Sequence, residues 1–371
     1  MRDSPLPPPA ELKARLARFR ERLALKRLSG FLITDPANVR YLSGFSGEDS
    51  ALLITGNRRL LLTDFRYLEE AKVDVRGWRI VLKPNDLMKK AGVCARRLRV
   101  RRLGVEAEHL TLAQAKALRK AAGGVRLAPR AGFAAEQRVC KSAWEVERIR
   151  RAVRIQERCF QEVCRGLRPG VSEREVAAEL RRRMVRAGAE DQAFECIVKF
   201  GAGSSLPHGR AGGRRLRRND LVLVDWGAKV SGYHSDLTRT FFMGRIGSRM
   251  RKVHEIVREA QARAKARVGP GVSYKEVDGA AREYITRAGY GPWFGHSTGH
   301  GLGLRIHEAP GLSGRQKGVL KPGMVVTVEP GIYLPGVGGV RIEDDLLVTA
   351  GGALELSRLP RGLRRRDRTR R

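Results

Sequence analysis

The chain has 371 residues, with 74 Lys+Arg against 39 Asp+Glu and a net charge of +35. At about 150 residues per domain the length suggests two or three domains, and 42% hydrophobic against 30% charged residues excludes wholesale disorder. The basic excess is mostly Arg spread along the whole chain, with local clusters such as Arg214, Arg215, Arg217 and Arg218, so it bears on solubility and loose polyanion contacts and not on chemistry.

The opening MRDSPLPPPA has three consecutive prolines and no apolar run. It reads as a disordered tail over residues 1–10 and not as a secretory signal. Residues 11–29 follow as an amphipathic helix with Leu12, Leu16, Phe19, Leu23 and Leu25 on or near one face. Strand-like runs cover Gly30–Thr34, Ala51–Thr55 and Arg59–Thr63, and helical patterns lie around 86–101 and 111–122. This alternation makes 11–133 an α/β domain, with a linker over 134–143. A catalytic domain is expected over 144–357, opening with a helix from Trp144 to about Arg165. No apolar stretch approaches the ~18 residues of a membrane span. Cys94, Cys140, Cys159, Cys164 and Cys196 form no C-x-x-C pair, so a reducing, cytoplasmic setting is expected.

Residues 168–188, RPGVSEREVAAELRRRMVRAG, match 269–289, GPGVSYKEVDGAAREYITRAG, without a gap. Pro169/Pro270, Gly170/Gly271, Ser172/Ser273, Glu175/Glu276 and Gly188/Gly289 coincide. Each Ser is placed to cap a helix, with Glu three residues later. The identities extend well beyond the cap, so the C-terminal part is expected to be two similar halves, each with helices followed by strands. The final RGLRRRDRTRR, within 358–371, reads as a solvated basic tail.

The first half leads into DLVLVDWGAKVSGYHSDLTRTFF, a strand, a turn and a strand. A hairpin symmetric about the Val230–Ser231 bond would set Asp225 directly opposite Asp236, where two like charges need a cation or a proton between them. The second half offers GMVVTVEPGIYLPGVGGVRIEDDLLVT, two apolar strands around a Gly/Pro loop. Glu329 ends one run and Glu343 sits inside the other, and a carboxylate in such a run must be paired or metal-bound. Four carboxylates match two divalent cations in charge. Between the halves lies GHSTGHGLGLRIHEAP, with His296, His300 and His307 among glycines 299, 301 and 303, which read as room for close approach of a ligand. His300 is the natural nitrogen ligand, and His208 lies just before the first hairpin. One imidazole with carboxylates suits Mn²⁺, Co²⁺, Fe²⁺ or Zn²⁺.

The motifs VDWGA, YHSDLTRTF, HSTGHGLGLRIHE, TVEPGIY and VRIEDDLLVT, in this order, resemble the signature of the M24-type pita-bread metallopeptidases. PANVRYLSGFSGEDSALLIT and LLLTDFRYLEEA resemble the N-terminal domain of its proline-peptidase branch, aminopeptidase P and Xaa-Pro dipeptidase. The likeness spans about 12–356. It implies an α/β N-terminal domain and an α+β pita-bread catalytic domain of two similar halves around an antiparallel sheet. It also implies that two divalent metal ions, Mn²⁺ first, support hydrolysis of Xaa-Pro bonds by a bridging hydroxide. Asp225 would bind one metal, Asp236 and Glu343 would bridge, and His300 and Glu329 would complete the other. Glu329 would double as general acid/base, and His208 and His307 would hold substrate and stabilise the oxyanion. Tyr233, His296 and Arg341 would stand behind them. A peptide with proline second, a homodimer, no membrane and no specific nucleic acid are the implied partners.

Gly203, where the family often has Asn, and Arg305, where it often has an acid, depart from the pattern. Two other readings compete: an inactive pita-bread module binding protein or nucleic acid, and a creatinase-like amidinohydrolase. The filled set Asp225, Asp236, His300, Glu329 and Glu343 speaks against both.

Overall fold

The computed structural model describes residues 6–83, 85–245 and 247–362. The expected tails therefore fall partly outside it, at 1–5 and 363–371. The chain forms two compact units, one running to Arg138 and one starting at Val139.

In the first unit a mixed six-stranded sheet runs in the order Arg79–Leu82, Arg59–Thr63, Ala51–Thr55, Gly30–Ile33, Arg102–Glu106, Arg126–Arg130. Leu32, Leu53, Leu62 and Leu103 on this sheet pack with Met88, Ala91 and Ala95 of helix Leu87–Arg97 and with Leu118 and Ala122 of helix Leu112–Ala122. The first helix is Pro9–Leu25, so it begins inside the expected tail, with proline at its first turn, where a missing N–H is harmless. It stops short of residue 29 because Arg27 takes a positive φ of 51°. The first strand-like run ends at Ile33, one residue short: Thr34 gives both its N–H and its hydroxyl to the buried carboxylate of Glu106 and not to a strand partner.

The second unit opens with helix Ala143–Gly166 and carries the duplication as expected. Helices Glu173–Arg186 and Tyr274–Arg287 each start with a full capping box, Ser172 with Glu175 and Ser273 with Glu276. Each half has its own core. Trp226, Phe200, Leu180 and Met184 belong to the first, and Ile332, Val326, Val277 and Ile285 to the second. Every strand pairing in this unit is antiparallel. By ladder hydrogen bonding these strands group into several short sheets, because the hairpins are interrupted.

Each expected strand–turn–strand is a long hairpin broken midway. The first comprises Leu221–Trp226, Ala228–Val230, Tyr233–His234 and Leu237–Phe242; the second comprises Val325–Val328, Gly331–Leu334, Gly338–Arg341 and Asp344–Thr349. The first turns at Ser231 and Gly232, whose φ angles of 51° and 79° are the pair of positive values that a tight primed hairpin turn demands. Its centre therefore lies one residue beyond the expected one. Thr238, not Asp236, stands opposite Asp225, and Asp236 is its diagonal neighbour on the same face. In the second hairpin Val328 pairs with Asp344 and Gly331 with Arg341, a register that sets Glu329 across from Glu343 in the break. Neither Glu lies within a strand. The residues just after 357 are packed and are not a free tail: Leu359 is buried, its carbonyl accepts from Arg239, and Arg361 Nε reaches Asp344 at 2.6 Å.

Candidate metal centre

Strand ends from both halves converge on one cleft of about 510 Å³, lined by Asp225, Asp236, His300, Glu329 and Glu343 together with His208, His296, His307 and Arg341. The breaks in the hairpins aim the carboxylates, because a residue between two strands is released from ladder hydrogen bonding and its backbone can be claimed elsewhere. The Asp236 N–H donates to Asp345 Oδ2 (3.0 Å), the Glu329 N–H to the Thr298 carbonyl (2.8 Å) and the Glu343 N–H to the Thr238 carbonyl (3.1 Å). Thr238 also donates its hydroxyl to Glu343 Oε2 at 2.7 Å, so one threonine ties the two halves together. The ligand atoms of Asp236, His300 and Glu343 lie within 4.8 Å of one another. His300 Nε2 is 3.6 Å from Asp236 Oδ2 and 3.4 Å from Glu329 Oε1. Its Nδ1 sits 3.1 Å from the Gly301 carbonyl, so Nδ1 carries the proton and Nε2 keeps a lone pair.

Arg341 organises the other side. Its guanidinium donates to Asp225 Oδ2 (2.5 Å), Thr238 Oγ1 (2.9 Å) and the Tyr333 hydroxyl (2.7 Å). The Tyr333 hydroxyl lies 3.0 Å from His296 Nε2, so a hydrogen-bonded chain runs from His296 to Asp225. Tyr333 was missed from sequence: it sits in TVEPGIY, but a buried strand tyrosine carries no periodic or charge signal. Tyr233, expected behind the site, belongs elsewhere. Its hydroxyl donates to Glu145, its ring packs edge-on against Trp144, and it does not line the cleft. His208 and His307 are exposed at the cleft, and the His307 ring lies 4.4 Å from that of His300. Gly299 and Gly301 are required by the close approach of neighbouring backbone. A Cβ at Gly299 would sit 2.0 Å from the Thr327 carbonyl oxygen, and one at Gly301 2.3 Å from that of Ala309.

Burial and mutual repulsion act together on the carboxyls. Burial, then Glu343 and Asp225, push Asp236 well above the usual carboxylate range; burial, then Glu329 and Asp225, do the same to Glu343. Burial raises Glu329 to about 8, and it raises Asp225 against the pull of Arg341. Burial lowers His300 and His296 to about 4, which keeps both imidazoles neutral. Asp225 Oδ1, Asp236 Oδ1 and Glu343 Oε1 are buried with no hydrogen-bond partner. Four acidic groups face one buried guanidinium, with three orphaned oxygens and a neutral imidazole lone pair among them. That donor set fits hard or borderline divalent cations.

Two family models match the chain: metallopeptidase family M24 over residues 147–350 and the creatinase/prolidase N-terminal domain over residues 15–140. The Xaa-Pro dipeptidase of Pyrococcus horikoshii is 37% identical over 91% of this chain and 94% of its own length. Among solved structures, an Xaa-Pro dipeptidase from Bacillus anthracis superposes with a TM-score of 0.92 at 38% identity, covering 95% of this chain and 99% of that one. An X-Pro aminopeptidase from Thermotoga maritima superposes with a TM-score of 0.86 at 36% identity, covering 94% and 99%. The chain belongs to metallopeptidase family M24, its catalytic unit preceded by a creatinase/prolidase N-terminal domain.

Proposed function

We propose that this metallopeptidase hydrolyses the Xaa-Pro bond of dipeptides or of peptide N-termini, using two divalent cations. The observation that carries this reading is the buried group of four carboxyls around His300, three of them with an oxygen that nothing in the protein satisfies. Asp225 would hold one ion, Asp236 and Glu343 both, and His300 with Glu329 the other. Bound there, the ions would polarise the scissile carbonyl and lower the pKa of a water enough to make it a nucleophile at neutral pH. Mn²⁺ is the first ion to test, since one imidazole among carboxylates favours it over softer metals.

The remaining chemistry rests on side chains. Glu329 is held by Thr327 Oγ1 at 3.3 Å, and as a carboxylate beside the cations it would be the proton acceptor. It would take the proton from the attacking water and pass it to the proline nitrogen as the C–N bond breaks. His208 and His307, on the open side of the cleft, would donate to the carbonyl oxygen as it gains charge. Proline motivates a dedicated site, because its nitrogen has no N–H and its φ is fixed, which denies general peptidases a backbone donor. Among the relatives, the P. horikoshii and B. anthracis proteins are called dipeptidases and the T. maritima protein an aminopeptidase.

The test is hydrolysis of Ala-Pro and Ala-Pro-Ala by chelator-stripped protein with and without Mn²⁺, with Asp236→Ala as control. Metal-dependent cleavage of Ala-Pro alone assigns a dipeptidase, and cleavage of the tripeptide at Ala-Pro an aminopeptidase. No cleavage with Mn²⁺, Co²⁺ or Zn²⁺ refutes the substrate class.

A further inference from the structure

The segment 294–298 walls the cleft with His296 and Ser297 but has no helix or strand of its own. Its shape is imposed from the neighbouring helix Tyr274–Arg287. Arg282 donates Nη1 to the Phe294 carbonyl (3.0 Å) and Nη2 to the His296 carbonyl (2.7 Å). Its guanidinium also lies over the Phe294 ring, 4.3 Å from the centroid. Asp278, only 3% exposed, holds that guanidinium from below through Nε–Oδ2 (2.8 Å) and Nη2–Oδ1 (2.9 Å). Its Oδ1 also accepts the N–H (3.1 Å) and the hydroxyl (2.8 Å) of Thr298. One Asp–Arg pair thus binds both ends of the segment by four hydrogen bonds, besides the two within the pair.

The duplication shows that this arrangement is not simply part of the repeated scaffold. Ungapped alignment of 168–188 with 269–289 sets Arg282 against Arg181 and Asp278 against Ala177. Ala177 packs on the first core, and Arg181 makes a largely exposed bidentate pair with Asp191. The segment after the first-half helix meets the same cleft through Phe194, Glu195 and Ile197, yet it is shaped without an acid at the Ala177 position: the Asp278–Arg282 arrangement is particular to the second half. A guanidinium held by a bidentate carboxylate has little rotamer freedom left, so its other donors are fixed in direction.

We propose that Asp278 and Arg282 are a positioning pair that holds the His296–Ser297 wall where it meets the peptide. This rests on the proposed peptidase reading for its substrate. Neither side chain lines the cleft, so both act through the backbone they hold. Glu329 follows strand Val325–Val328 and keeps its bonds to Thr327 and to the Thr298 carbonyl, neither of which involves Arg282, so metal binding and the chemical step should survive loss of the arginine.

The experiment uses the full-length, Mn²⁺-loaded protein and compares Arg282→Met with Arg181→Met. Two readouts are taken: amide hydrogen exchange over 294–299 and the separate KM and kcat for Ala-Pro. Arg282→Met should speed exchange in that segment and raise KM at least tenfold. Its kcat should stay within threefold and its metal content should equal wild type. Arg181→Met should change neither readout. Arg282→Lys, with fewer donors, should fall between. Faster exchange with unchanged KM would make the pair merely structural and overturn the proposal, as would unchanged exchange or a loss of kcat and metal together. If Arg282→Met fails to fold, Arg282→Lys and Asp278→Asn carry the same readouts. A wild-type protein that cleaves no Xaa-Pro peptide overturns the proposed function instead, and the exchange comparison still decides whether the pair holds the segment.

Discussion

Removing metal should make the protein's stability fall as pH rises, and Glu329→Gln should relieve part of that fall. Burial lifts Glu329 from its ordinary 4.5 to about 8. A carboxyl whose folded-state pKa lies above its unfolded value contributes stability that is complete below the unfolded pKa, and this stability is lost as pH climbs through the folded one. For Glu329 that window is about 4.5 to 8, and the full displacement corresponds to about 5 kcal/mol. Between about pH 6.5 and 8 the loss is about 1.4 kcal/mol per pH unit, hence about 2 kcal/mol from this group alone. Urea unfolding of chelator-stripped wild type and Glu329→Gln at the two pH values measures it. The stripped variant should lose about 2 kcal/mol less than stripped wild type over that interval. Mn²⁺ at about a hundred times its Kd should add about 2.7 kcal/mol to wild type. Equal pH slopes for the two stripped proteins, or no Mn²⁺ effect, would refute the picture of a buried carboxyl cluster awaiting cations.

Two further outcomes test the scaffold. His254 is fully buried with Nε2 against the Thr240 carbonyl, and burial lowers it to about 4. Its stabilising share is complete above about pH 6.5 and disappears as pH falls toward 4, so His254→Gln should flatten the acid arm of the stability profile by up to about 3 kcal/mol. Gly299→Ala would force a Cβ to within 2.0 Å of the Thr327 carbonyl oxygen, so the strand bearing His300 must shift, and bound metal per chain, measured by atomic emission, should drop.

Much of the site could be read from residue types alone. Asp225, Glu329 and Glu343 stand out because an ionisable group within an apolar run has few physical excuses. The three histidines near GHG stand out because they crowd into one short segment. The capping boxes could be read because Ser and Glu three residues apart interact locally. What could not be read depended on register and on contacts distant in sequence. The one-residue displacement of the first hairpin follows from Ser231 adopting a positive φ, which a non-glycine residue does not announce. Tyr233 and Tyr333 look alike in sequence, and only packing sends one to Glu145 and the other to Arg341.

The sequence by itself determined the duplication, the α/β character of the first unit and the identity of the acidic and imidazole groups, since these depend on local periodicity, capping and composition. Only the tertiary structure decided which of those groups meet. The carboxyls from two hairpins about a hundred residues apart share one cleft because Thr238 bonds Glu343 and Arg341 bonds Asp225 across the halves. Such cross-half bonds depend on sheet closure and not on any local pattern.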